Sequence, residues 1–233
     1  MNYGTWGYED GLTILLSLIG FIIVIYAQIK VNLSYAKTSK IKSSKGLSGQ
    51  EVARKILDSN GLNNIHIVEV QGKLTDHYDP SRKVLRLSHE IFNGDSIASV
   101  SVAAHECGHA IQDKDGYVFM RIRGFLVPVV NFVTYIGYFV AIISLIGGIT
   151  GYLRVSLLII LAAVLFQLVT LPVEFDASNR AKKELLKLGL IDNDEQKDVK
   201  NMLGSAALTY VASLVSSILN VLRILIMLGR RDD

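Results

Sequence analysis

The chain is 233 residues long, half of them hydrophobic, with a mean hydropathy of +0.37 and a formal net charge of +3. That length suits one compact unit, and so much apolar surface demands either a very large core or a bilayer. The modest charge, with no basic stripe interleaved with aromatics, sets aside a nucleic-acid partner; the single cysteine, Cys107, excludes an internal disulfide framework and fits a reducing cytosol.

The clustering of the apolar residues decides for lipid, because about 20 helical residues cross the hydrocarbon. Residues 11–29 are uncharged and form the first expected span. Glu9 and Asp10 precede it instead of lysines, and no small-residue cleavage site follows, so it reads as a retained anchor and not a secretion signal. After it come Lys30, Lys37, Lys40, Lys42 and Lys45 with no acid before Glu51, whereas no lysine or arginine precedes it. The positive-inside rule then puts the N-terminus outside and residues 30–123 in the cytoplasm.

That cytoplasmic stretch reads as folded. Ser48 and Glu51 form a capping box that opens a helix through Leu57, closed by Asn60 and Gly61. "NIHIVEV" has the alternation and β-branching of a strand, and "KVLRLS" reads as a second after the turn signal "YDPS". The second strand lies either at a sheet edge, where an extended substrate can add through backbone hydrogen bonds, or in the interior. Asp95 or Ser96 caps the next helix, which runs to about Gln112.

Residues 125–149 form the second expected span, with Pro128 near its start, and residues 153–171 the third, with Arg154 at its edge. Strict alternation returns residues 174–205 to the cytoplasm, in agreement with Arg180, Lys182, Lys183, Lys187, Lys197 and Lys200. Residues 206–228 are more polar, with Asn220 and Arg223, and either span, lie obliquely or sit partly against the other helices; Arg223, Arg230 and Arg231 on the outer side would go against the rule. The expected class is therefore mostly α: an integral membrane bundle of three to four transmembrane helices with a small cytoplasmic α+β element. It is read as a single membrane-embedded unit whose catalytic region comprises residues 46–123 and 173–205.

Chemistry concentrates in "VAAHECGHAIQD" on the helix before the second span. His105 and His109, four apart, lie on one helical face and can present imidazole nitrogens to one zinc ion. Glu106, one step round, flanks that ion without ligating it and can act as general base for an attacking water. The small residues Ala103, Ala104, Gly108 and Ala110 suit a helix crowded around a buried metal. Catalytic zinc takes three protein ligands, and no histidine follows His109, so a later ligand must be a carboxylate. In "LPVEFDASNRA", Glu174 directly follows the third span and reaches farther than its competitor Asp176. Two spans separate Glu174 from His109, which brings it back to the same membrane face. Asp176, Asn179 and Arg180 can then orient a ligand, and His77, Tyr78, Arg180 and Tyr210 are polar groups available to a developing oxyanion. Cys107 points away from the metal face and reads as a small core residue.

"HECGHA", "LTDHYDPSRKVLRLS" and "LPVEFDASNRA", in this order with a leading anchor and two intervening spans, resemble the YugP-like bacterial membrane zinc metallopeptidases over nearly the whole chain. The resemblance implies a gluzincin-type site with His105, His109 and Glu174 as ligands of one Zn²⁺ and Glu106 as catalytic base. More distantly the chain is similar to membrane peptidases of the HtpX and CAAX-processing type, which carry an acidic residue four positions after the ligand glutamate; here Ser178 stands there. The function expected is an endopeptidase of the bacterial cytoplasmic membrane, its site facing the cytoplasm, that hydrolyses membrane proteins or peptides by a zinc-activated water. The alternative is a scaffold or chaperone-like membrane protein with a structural metal, whose zinc would be closed by four protein ligands.

Overall fold

The computed structural model describes residues 6–147 and 152–229. In chain order they form α1 (Trp6–Thr38), α2 (Gly49–Ser59), β1 (His66–Val70), β2 (His77–Asp79), β3 (Val84–Ser88), α3 (His89–Asn93), α4 (Ile97–Lys114), α5 (Val118–Gly147), α6 (Tyr152–Lys187) and α7 (Gln196–Gly229). The chain divides into two compact units: Met1–Gln28, Ile122–Thr170 and Thr209–Asp233 in one, Ile29–Arg121 and Leu171–Leu208 in the other.

The first unit is built from apolar stretches of α1, α5, α6 and α7, and each of these four helices is long and apolar enough to cross a membrane. Phe21, Phe125, Phe132 and Leu158 are exposed along these helices, which water would penalise and acyl chains would not. Within the unit Gly20 lets α1 approach Ser216 of α7, and Arg223 donates to the Ser17 hydroxyl at 2.9 Å, so a polar side chain in an apolar helix meets a partner. Residues 148 and 149 of the second expected span, with Arg230 and Arg231, lie outside the described residues.

The helices outrun the spans expected from hydropathy, because polar residues extend them past the apolar window. The clearest case is α6, which continues through Pro172 to Lys187, so Glu174 sits inside a helix instead of following its end. Proline removes one backbone donor, a loss that membrane helices tolerate when neighbours re-satisfy the freed carbonyl.

The second unit holds the α+β element. α2 starts where expected: Ser48 accepts from the Glu51 amide at 3.3 Å and the Glu51 carboxylate accepts from the Ser48 amide at 2.8 Å. Gly61, at φ +69°, turns the chain out of the helix in a conformation that a side chain would resist. Val52, Ala53, Ile56 and Leu57 form its buried face, packed with Leu85 and Leu87 of β3, Val100, Ala104 and Cys107 of α4 and Leu185 of α6. β3 pairs parallel with β1 and antiparallel with β2, so "KVLRLS" is the interior strand and not the edge. The short strand β2, which periodicity did not announce, is fixed by its turn. Asp79 accepts from the Ser81 and Arg82 amides and from Arg86 at 2.7 Å, and Asp76 accepts from the Ser88 amide at 2.7 Å.

Of the two candidate caps of α4, Ser96 accepts from the Ser99 amide at 3.1 Å, while Asp95 pairs with Lys42. α4 is buried along most of its length and meets α6 closely at Gly108, where an added Cβ would stand 2.5 Å from the Ala177 carbonyl oxygen. Contact that close excludes any side chain. Gly108→Val must therefore force α4 and α6 apart, with an expected loss of at least about 1–3 kcal/mol. Gly204→Ala, within α7 and with nothing inside 4 Å of the new methyl, is expected to be neutral or stabilising by roughly 0.5–1 kcal/mol. Thermal unfolding of the detergent-solubilised proteins checks both, and equal midpoints for the two variants would contradict the packing described.

Candidate active site

Two helices of the second unit supply the site. On α4, His105, Gly108, His109 and Gln112 recur at three- and four-residue spacing and so form one stripe; on α6, Glu174, Ala177 and Ser178 form the facing one. The Gly108–Ala177 contact lays the first stripe on the second. His105 Nε2 then lies 3.2 Å and His109 Nε2 3.7 Å from the same carboxylate oxygen, Oε2 of Glu174. The ligating atoms of the three residues all fall within 4.8 Å of one another, an arrangement that can hold a metal ion. The imidazole rings meet edge to face, at 84°, with centroids 4.8 Å apart, which aims two nitrogens at one point without stacking the rings.

The far nitrogens of the rings are held as well. His109 Nδ1 is 3.0 Å from Gln112 Oε1, and the Gln112 amide nitrogen donates to the Val173 carbonyl at 2.8 Å and to Asp176 Oδ2 at 2.9 Å. Two acceptors around that nitrogen fix the orientation of the amide, so its oxygen faces His109 and Nδ1 must carry the hydrogen. The lone pair of His109 is thereby left on Nε2, the atom that points at Glu174. His105 Nδ1 is 3.2 Å from the Ser178 hydroxyl, so the serine four residues after Glu174 reaches the ring directly. Burial by itself would lower the pKa of His109; the Glu174 carboxylate and the nearby Glu106 outweigh it and raise it.

Glu106 is 8% exposed, and its Oε2 accepts from the Tyr78 backbone amide at 3.0 Å. That amide points away from β3, on the outer side of β2, which is why the turn that fixes β2 also fixes Glu106. That N–H donor occupies one of the two carboxylate oxygens. Tyr78's own hydroxyl is bonded to Asp113 at 2.7 Å; burial and then that hydrogen bond push its pKa well above the ordinary tyrosine value.

The remaining sequence candidates fall in different places. Asp176 lies outside the three-residue cluster and instead joins Gln112 to Arg180, whose Nε donates to it at 2.6 Å and whose Nη1 donates to Asp115 at 2.5 Å. Both residues thus stand behind His109, linked to it through Gln112. His77 is exposed, bonded to the Thr75 carbonyl and near Arg86, within the hairpin. Tyr210 belongs to the other unit. Cys107 is fully buried, its thiol directed at the Ala53 carbonyl and its pKa pushed well up by burial, so it stays protonated and packs as a small core residue. Gln112 escaped sequence reasoning, although its place three residues after His109 was a usable signal: an amide on the ligand face of a buried helix needs partners.

The chain is 42% identical over 223 residues, 95% of its length and 99% of the relative's, to a Bacillus subtilis (strain 168) protein described as "Putative membrane protease YugP". No solved structure matches. A family model described as "Putative neutral zinc metallopeptidase" matches residues 13–229, and the chain belongs to that family.

Proposed function

We propose that the protein is a zinc-dependent endopeptidase that hydrolyses peptide bonds of membrane proteins or membrane-associated peptides at the cytoplasmic surface of the bacterial cytoplasmic membrane. The observation that carries the reading is the convergence of His105, His109 and Glu174 within 4.8 Å, with Glu106 on the same helix. Two imidazole nitrogens and one carboxylate are a donor set suited to one zinc ion. Three members, among the described residues, is the ligand count of a catalytic zinc; a purely structural zinc is closed by four, which disfavours a scaffold role. Zinc bound there supplies Lewis acidity, polarising a carbonyl and lowering the pKa of water.

The chain's own residues supply the rest. Glu106 takes the proton from the attacking water and passes it to the leaving nitrogen, so no acyl-enzyme forms. With Oε2 held by the Tyr78 amide, the proton travels on Oε1. Gln112 and Ser178 orient the two imidazoles, and Asp176 and Arg180 hold Gln112 in place. The lysines that mark the cytoplasmic side, from Lys30 to Lys45 and from Lys182 to Lys200, belong to the unit that carries the site.

Two outcomes check the assignment on purified, full-length protein. Glu106→Gln is expected to keep one zinc per chain by elemental analysis while cleavage of an unstructured test protein falls roughly 10²–10⁴-fold; near-normal cleavage would exclude Glu106 as the base. Glu174→Ala is expected to lose zinc, and Gln112→Leu to weaken zinc affinity roughly 10–100-fold in chelator competition. Unchanged zinc retention in Glu174→Ala would remove it from the ligand set.

A further inference from the structure

The second unit contains a cleft of about 600 Å³ formed by α1, α6 and α7, which the proposed peptidase chemistry does not use. Its wall carries four lysines, Lys30, Lys37, Lys182 and Lys200, against one acid, Asp198, and Asp198 is already paired with Lys37 at 2.8 Å. Lys182 is half-buried and shares the cleft wall with Lys200, and neither makes a salt bridge among the described residues. Lys182 and Lys200, two ammonium groups on one concave wall without an ion pair of their own, are complementary to an anion. Asn179 and Asn201 add hydrogen-bonding groups to the same wall.

The lining also tells where the anion comes from. Leu33 and Phe175 border the cleft and are 66% and 43% exposed, so the cationic wall has an apolar rim. All three lining stretches adjoin, along the chain, the apolar segments of the first unit: residues 30–38 follow Met1–Gln28, residues 175–182 follow Ile122–Thr170, and residues 198–207 precede Thr209–Asp233. A phosphate carried on acyl chains matches both the charge and the rim, whereas a free phosphate uses only the charge. Ser178, whose hydroxyl meets His105, lines the cleft too, so an occupant sits one side chain away from the proposed ligand set.

We propose that this cleft binds the phosphate headgroup of an anionic phospholipid of the membrane in which the protein sits. The proposal requires the helices to cross a bilayer and is independent of the zinc reading; zinc content measured on the same samples tells the failure of one from the failure of the other. The test is native mass spectrometry of the full chain after equilibration with mixed phosphatidylglycerol and phosphatidylcholine micelles. Wild type is expected to retain phosphatidylglycerol in preference. Lys182→Gln/Lys200→Gln is expected to lower that preference on the order of tenfold or more, while Lys40→Gln/Lys55→Gln, with the same change in charge outside the cleft, keeps it. If the double variant aggregates, each single variant is expected to lose part of the preference. Equal retention of the two lipids by wild type, or an unchanged preference in the cleft variants, would overturn the proposal. So would complete displacement of phosphatidylglycerol by an equal concentration of inorganic phosphate, which would make a soluble anion the occupant.

Discussion

The site depends on one backbone contact, that of Gly108 on α4 with Ala177 on α6. A helix carries His105 and His109 on one face whatever surrounds it, but two imidazoles do not make a three-ligand centre. The third group arrives because α6 comes close enough for an added Cβ to stand 2.5 Å from a carbonyl oxygen, which only glycine permits. Every side chain of the centre lies within one turn of that contact: His105, His109 and Gln112 around Gly108, Glu174 and Ser178 around Ala177. One close packing event therefore sets the proposed ligands and the groups bonded to them.

Bringing a carboxylate and two imidazoles into a nearly dry place carries a desolvation cost, and the surrounding hydrogen bonds offset it. Glu174 shares an oxygen between two rings, His109 leans on a fixed amide, and Asp176 is shared between Gln112 and Arg180. On the other side the β2–β3 hairpin does comparable work for Glu106. Asp76 and Asp79 lock the turn through backbone amides, and the locked turn presents the Tyr78 N–H to the glutamate. The candidate site thus sits between a helix pair and a hairpin.

What could be read from the sequence follows from how local each signal is. The Ser48–Glu51 capping box, the alternation in "KVLRLS" and the helical spacing of His105 and His109 are each set within a few residues, and each recurs in the fold. Glu174 was reachable by counting spans, yet its place inside α6 was not, since Pro172 signals a stop that the packed helix overrides. β2, three residues long, is too short for periodicity and exists because Asp79 and its neighbours fix the turn. Gln112 and Ser178 needed the partner helix in view. Ser178 reaches His105 with a hydroxyl, a contact that chain position alone does not reveal. His77 and Tyr210 were polar groups without a location, and in three dimensions one belongs to the hairpin and the other to the first unit.

The central claim is that α4 and α6 together provide a two-imidazole, one-carboxylate zinc centre. X-ray absorption at the zinc edge of the purified full-length protein tests it most directly. The account predicts a first shell of nitrogen and oxygen only, near 2.0–2.1 Å, with the outer-shell scattering of two imidazoles. A sulfur contribution near 2.3 Å, or a shell with scattering from three or more imidazoles, would contradict it.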